Sequence, residues 1–247
     1  KLRDGMTLSF HHHLRNGDQV LNQVLAQAAA LGVKGLTIQA SSLFDVHAPL
    51  IDHIKSGVVT GIETNYMSGG IGRAISEGVL AQPVRFRSHG GRPDAIDTGR
   101  VHIDIAFVAA PAADARGNAN GVAGPAACGS LGYAMSDARH AERVVIVTDH
   151  LEPYPLMPAS IGEEDVDYVV QVDSIGDPKG IVSGTTRITR DPVGLTIARY
   201  AAQVIEHSGL LKPGFSFQTG AGGASLAVTQ YLKPIMKRLG VTGSFGL

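Results

Sequence analysis

The chain has 247 residues, 44% of them hydrophobic and 17% charged, with a formal net charge of −1; this can bury a sizeable core and gives no electrostatic reason to expect nucleic acid. A single cysteine, Cys128, excludes an internal disulfide, the N-terminus lacks the basic-then-apolar layout of a secretory signal, and no apolar run approaches the roughly 20 residues that span a bilayer. A small-molecule protein of the reducing cytoplasm fits these features, and 31 glycines without a tryptophan point to many tight turns and close backbone approaches.

The first element, GMTLSF (residues 5–10), reads as a buried strand, and QVLNQVLAQAAALG after Asp18 reads as a helix. Between them lies FHHHLRNGD, Phe10 to Asp18, with three consecutive histidines, His11, His12 and His13. An expression tag would not be wedged between a strand and a helix. Asp18 is placed to cap the helix, whose apolar positions Val20, Leu21, Val24, Leu25 and Ala28 recur at helical spacing. The loop therefore lies where open α/β sheets put their ligands, and Arg15 and the three imidazoles are expected to project into that mouth. Hydrogen bonding is the expected role, with no metal, because neighbours on one loop rarely converge on an ion and no acidic partner lies close by.

Further strands follow as GLTIQAS, GVVTGIET, PVRFRS, IDIAFVAA, RVVIVTD and VDYVVQVD, with helices over Asp18–Leu31, Pro49–Lys55, Ile71–Leu80 and Asp137–His140 with its flanks. Near-continuous apolar strands are buried on both faces, which predicts an α/β fold with an open, mostly parallel sheet flanked by helices. Arg73 starts the helix after MSGG. RSHGGR places Arg87, His89 and Arg92 around a Gly-Gly turn; guanidinium forks pair carboxylates bidentately, so a polycarboxylate is the natural ligand. The alternative is a solvated turn with the arginines paired to Asp94 or Asp97. In GNANG, Asn118 and Asn120 orient a substrate carboxylate or only make turn hydrogen bonds, and both readings stand. ACGSLGYAMSDA reads as structural, with Cys128 a small buried residue that has no adjacent base to activate it.

The two ends of the chain match each other. LRDGMTLSF from Leu2 aligns with LKPGFSFQT from Leu211, and GVKGLT from Gly32 with GVTGSF from Gly240, at offsets of 209 (Gly5 to Gly214) and 208 (Gly32 to Gly240). A tandem duplication is implied: a complete α/β domain over 1–190, then a linker helix and the first βαβ portion of a second, truncated domain over 191–247. The sequence is thus expected to be a fragment of a longer polypeptide. In the second copy, FSFQTGAGGASLAVTQYL is again strand, loop and helix, and Gly220, Gly222 and Gly223 would let backbone N–H groups approach an anion or oxyanion at a helix N-terminus. Tight helix-to-strand packing is the competing explanation. If the domains face each other by pseudo-symmetry, this loop and the histidine loop open toward one cleft.

Taken together, SFHHHLRNGD, QASSLFDVHAPLIDHIKSGVV, RSHGGR, GNANG, CGSLGYAM and FSFQTGAGGASLAVT resemble the alpha subunit of bacterial citrate lyase, a citrate:acyl-carrier-protein transferase of the CoA-transferase superfamily. The resemblance spans essentially the whole chain and implies two CoA-transferase-like α/β domains in the full protein. It also implies exchange of acetate for citrate on a CoA-derived thiol presented by the acyl carrier (gamma) subunit, in an oligomeric complex with a beta (lyase) subunit. No cofactor tightly bound to this chain is expected. On this reading the backbone of Gly220, Ala221, Gly222 and Gly223 serves a tetrahedral oxyanion. His11, His12, His13, Arg15, Arg73, Arg87, His89, Arg92, Asn118 and Asn120 are the candidate citrate contacts. Related enzymes with a covalent intermediate use a glutamate that the resemblance places within LGVTGSFGL; here Ser244 stands near that place and no Asp or Glu follows Glu206. Direct transfer in a ternary complex, through a mixed anhydride, is expected instead. Rival readings are a CoA-transferase acting on a smaller acid, and a non-catalytic α/β ligand-binding domain.

Overall fold

The computed structural model describes residues 1–11, 13–181, 187–220 and 222–245, and the chain divides into two compact units, Lys1–Ile181 and Val182–Leu247. The first unit carries strands β1 (Thr7–His11), β2 (Leu36–Ala40), β3 (Val59–Thr64), β4 (Arg85–Phe86), β5 (Ile105–Ala109), β6 (Ala112–Asp114), β7 (Ala119–Asn120), β8 (Arg143–Thr148), β9 (Leu151–Glu152) and β10 (Tyr168–Gln171). Its helices are α1 (Val20–Ala30), α2 (Leu50–Lys55), α3 (Gly69–Ser76), α4 (Gly91–Asp97) and α5 (Ala134–His140).

Seven strands form one sheet in the order β10-β8-β5-β1-β2-β3-β4, and every neighbouring pair is parallel. The chain builds outward from β1 through β4, then returns to lay β5 on the free side of β1. The strand order therefore reverses between β1 and β5, and the crevice beyond their carboxyl ends is where such sheets bind ligands. Side chains of β1 alternate across the sheet. Leu8 and Phe10 join the core that α1, α2 and α3 cover with Leu21, Leu25, Leu50 and Ile71. Ser9 points to the other side, toward α4 and α5. There Ile96, Ala134 and Ala138 pack on Ala106, Val108, Val144 and Ile146. Phe10 and Phe107, cross-strand partners, stack at the switch point with ring centroids 5.6 Å apart.

Several boundaries differ from expectation. The strand in PVRFRS is only two residues long, and the sequence GGR opens helix α4 where a turn is predicted. A small sheet in the order β7-β6-β9 is an addition that the apolar pattern does not announce, because its strands are two or three residues long.

The second unit contains α6 (Pro192–His207), β11 (Phe215–Ser216), α7 (Gly223–Leu239) and β12 (Ser244–Phe245). Asp191 caps α6 by accepting from the Gly194 N–H at 2.7 Å, with Pro192 at the first helical position. Strands β11 and β12 pair in parallel, with Ser216 opposite Phe245. Shifted by the offsets of 209 and 208 read from the sequence, this pair falls on Thr7 opposite Thr37 in the first unit. Gly5 and Gly214, equivalent in the repeat, share a left-handed φ of 76° and 77°. In β11, α7 and β12 the second unit repeats the strand-helix-strand order of β1, α1 and β2.

Candidate functional site

At the carboxyl end of β1, His11 follows Ser9 on the same face of the strand. Its ring lies 4.4 Å from that of His13 and 4.7 Å from that of Tyr133, centroid to centroid. Tyr133 immediately precedes α5, and its hydroxyl is 3.3 Å from Nδ1 of His89, the residue two places ahead of α4. Three imidazoles and a phenol thus meet beside the switch point, from three segments spread over more than a hundred residues. The backbone of Gly132 closes one side: a Cβ there would stand 3.6 Å from Nε2 of His11. Burial pushes the Tyr133 phenol up; the Arg92 guanidinium opposes this and the Asp137 carboxylate reinforces it. The hydroxyl therefore keeps its proton at neutral pH and is available as a donor.

Beneath these rings lies Arg92, buried in the first turn of α4. Its two terminal nitrogens donate to Asp137 at 2.9 and 2.7 Å, and one of them also donates to the Ser9 hydroxyl at 2.8 Å. Ser9 in turn donates to Asp137. The Arg92 guanidinium carbon is 5.7 Å from the centroid of the Tyr133 ring.

The other candidates have different surroundings. His12 and Ala221 lie outside the described residues. Arg15 adopts a left-handed φ of 52°, rare for a side-chain-bearing residue, and extends its guanidinium over Phe44, 5.5 Å from the ring centroid. Arg73 is exposed on α3. Arg87 pairs with the buried carboxylate of Glu63, so the partner is neither Asp94 nor Asp97: Asp94 pairs with Arg100 and Asp97 lies 3.4 Å from His140. Asn118 and Asn120 make turn hydrogen bonds. Asn118 donates to Asp114 at 2.8 Å and accepts from the Glu163 N–H; Asn120 accepts from the Val122 and Ala123 N–H groups and donates to the Pro158 carbonyl at 2.9 Å. Cys128 is half-buried, and burial pushes its thiol up to about 11, which leaves it protonated at neutral pH.

Asp18 accepts from the Leu21 N–H at the start of α1 and from Nε2 of His47 at 3.2 Å. The Phe44 N–H donates to Nδ1 of the same imidazole, so Nε2 carries the proton. This buried pair ties the histidine loop to the segment after β2. Gly17 fixes the other side, since a Cβ there would stand 1.9 Å from the carbonyl oxygen of Asp177.

Asp114, fully buried at the end of β6, organises the neighbouring turns. Burial alone would push its carboxyl up, but hydrogen bonds from the Leu156, Arg116 and Asn118 N–H groups and the Asn118 amide outweigh it and hold the carboxyl below the usual range. A carboxylate with a depressed folded pKa contributes stability that is present above the unfolded value of about 3.9 and lost as pH falls through the folded one. Urea unfolding of wild type and Asp114→Asn is expected to differ at pH 6, with the gap shrinking below about pH 4. A gap that persists unchanged into strong acid contradicts this account.

In the second unit, α7 begins at Gly223, and the first N–H groups of a helix have no partner within it. Gly220 and Gly222 have only the Ser225 side chain near the place of a Cβ, at 3.4 Å and 4.0 Å. Gly223 differs: its Cβ would stand 2.8 Å from the Arg187 carbonyl oxygen, and its own carbonyl accepts from the Thr189 N–H at 3.1 Å. Close backbone packing therefore requires glycine at 223. Among the described residues, the one grouping of three potential metal ligands, His102, Asp104 and Glu142, lies at the opposite, amino-terminal ends of β5 and β8. No helix of the described residues is long and apolar enough to cross a membrane.

Sequence reasoning missed Tyr133, Asp137 and Ser9. The available signal was a tyrosine behind two glycines and just ahead of a helix, but its neighbours come from distant segments.

The family described as citrate lyase, alpha subunit, matches residues 1–247. The citrate lyase alpha chain of Klebsiella pneumoniae is 52% identical over 246 residues, which are 100% of this chain and 48% of that one. A crystal structure described as the alpha subunit of citrate lyase from Streptococcus mutans in complex with citrate is 56% identical, with a TM-score of 0.90 over 100% of this chain and 48% of that one. An acyl-CoA transferase from E. coli O157:H7 shares the fold, at 13% identity and a TM-score of 0.57 over 90% of this chain and 55% of that one. The chain spans about half the length of the curated relatives it matches. It belongs to the citrate lyase alpha subunit family.

Proposed function

We propose that the full-length protein moves a carrier thiol from an acetyl group to citrate, and that His11, His13, His89 and Tyr133 form the citrate-binding mouth. The observation that carries this reading is the convergence of three imidazoles and a protonated phenol at the strand switch point, in a chain 56% identical to a relative crystallised with citrate. Imidazole and phenol N–H and O–H groups are donors suited to carboxylate and hydroxyl oxygens. Their task is positioning, which turns an intermolecular attack into a near-attack geometry.

A citrate carboxylate oxygen attacks the acetyl thioester carbonyl, and the tetrahedral oxyanion collapses with loss of the carrier thiolate to give an acetyl–citryl anhydride. The thiolate then attacks the citryl carbonyl and expels acetate, leaving a citryl thioester. We assign donation to the oxyanion to the backbone N–H groups of Gly220, Ala221, Gly222 and Gly223; removal of one such donor costs on the order of a hundredfold in rate. The thiol belongs to a CoA-derived group on the acyl carrier partner, with the lyase step on a separate beta subunit. Ser244 stands near the place where the resemblance puts the glutamate of related enzymes with a covalent intermediate, which supports direct transfer in a ternary complex without a glutamyl thioester.

Mass spectrometry of acetyl-charged acyl carrier protein, incubated with the full-length protein and citrate, is expected to show conversion of the carrier-bound acetyl to citryl. An unchanged carrier alongside an active control refutes the transfer. Borohydride added during turnover is expected to leave every carboxyl side chain of the protein unreduced, whereas conversion of one of them to the alcohol, read by peptide mass, refutes direct transfer.

A further inference from the structure

Three buried polar side chains lie beneath the mouth, and each is within four residues of one residue above it. Ser9 lies two residues before His11 on β1. Arg92 lies three residues after His89 in the first turn of α4, and Asp137 four residues after Tyr133 on α5. All three are at most 2% exposed, and they are joined to one another by four hydrogen bonds.

Stability does not explain this arrangement. Desolvating two opposite charges offsets their attraction, so a buried pair is commonly matched or exceeded in stability by apolar side chains of similar volume. Arg92 Nε, moreover, is buried without a hydrogen-bond partner, a further cost. What a guanidinium–carboxylate fork supplies that apolar packing does not is direction, because its two parallel bonds fix both the separation and the relative rotation of their carriers.

We infer that Ser9, Arg92 and Asp137 are positioning residues that lock β1, α4 and α5 in the one mutual arrangement in which His11, His89 and Tyr133 converge, and so set recognition of the carboxylate ligand. The inference rests on the reading of that mouth as a citrate site. Arg92 also underlies the Tyr133 ring, so the fork orients the phenol whose hydroxyl meets His89. Lysine at position 92 would keep the charge but lose the planar fork, and the conservative change is thus not conservative here.

The decisive variant is the double replacement Arg92→Met, Asp137→Leu, which removes the fork while leaving no unpaired charge. Three readouts are taken: the thermal midpoint, the Nδ1 nitrogen resonance of His89 without ligand, which reports its contact with Tyr133, and citrate affinity by calorimetry. The expected result is a midpoint close to wild type, a displaced His89 resonance, and citrate affinity weakened about tenfold or more. Arg92→Lys is expected to displace the resonance and weaken citrate in the same direction. A folded double variant with the wild-type resonance and affinity overturns the inference. Should the double variant not fold, Arg92→Lys and Ser9→Ala decide it, and an unchanged resonance and affinity in both overturns it. If wild type itself binds no citrate, the citrate reading fails, while the ligand-free resonance still decides whether the fork positions His89 and Tyr133.

Discussion

Asp137→Ala is expected to destabilise the first unit by about 3–5 kcal/mol, the cost typical of removing one partner from a buried ion pair. The loss comes from what remains. Arg92 has no second carboxylate within reach in the described hydrogen-bond pattern, so its guanidinium would be left buried with Ser9 as its remaining hydrogen-bond partner. The same replacement leaves a void beneath Tyr133, where α5 packs against α4. Urea unfolding followed by circular dichroism measures the effect directly. Deleting one charge is expected to be far worse than deleting both in Arg92→Met, Asp137→Leu. Equal destabilisation by the single and double replacements would show that packing volume, and not charge balance, governs the site.

The second large effect is expected at Gly17. Its Cβ would stand 1.9 Å from the Asp177 carbonyl oxygen, while Cβ atoms at Gly176 and Gly180 would stand 2.2 Å from the Gly17 carbonyl oxygen and nitrogen. Three glycines thus press two backbones together, and the Asp177 N–H donates to the Gly17 carbonyl at 2.9 Å across the contact. The obstructing atoms are backbone, which cannot rotate aside. Gly17→Ala is accordingly expected to cost about 3 kcal/mol or more. It should also weaken citrate binding, because the loop that moves carries His13 and Arg15. Gly90→Ala is the control: a Cβ there meets nothing within 4 Å, and stability within about 0.5 kcal/mol of wild type is expected. Thermal unfolding of both variants tests the pair, and a Gly17→Ala protein as stable as the Gly90 control would refute the backbone contact.

Sequence periodicity revealed most of the architecture. Apolar strands alternating with helical stretches predict a parallel sheet, and the offsets between matching strings predict a repeated strand and helix at the end of the chain, where β11 and β12 pair in parallel. The histidine loop was locatable because a strand precedes it and a helix follows, a local relation. Arg92 was not legible in the same way. Its neighbours Gly90 and Gly91 suggest an exposed turn, but Gly91 opens a helix that buries the side chain against a carboxylate 45 residues later. Arg87 finds its partner 24 residues earlier, on β3. Tyr133 is not legible either, because its significance depends on His11 and His89, each brought to it by a different crossover of the chain. Local pattern specifies elements; which polar side chains meet is decided by strand order, and strand order is a property of the whole sheet.

Strand β1 carries two kinds of information in alternate residues. Leu8 and Phe10 belong to the apolar interior, while Ser9 and His11 belong to the polar cluster. Because the period is two, inserting or deleting one residue here would exchange the sets, placing phenylalanine against a buried salt bridge and serine in the hydrocarbon interior. The strand can therefore diversify by point replacement but not by change of length. Replacements at positions 8 and 10 should be read out in folding yield, and those at 9 and 11 in ligand preference, so that heritable variation in persistence and in selectivity can accumulate independently within five consecutive residues.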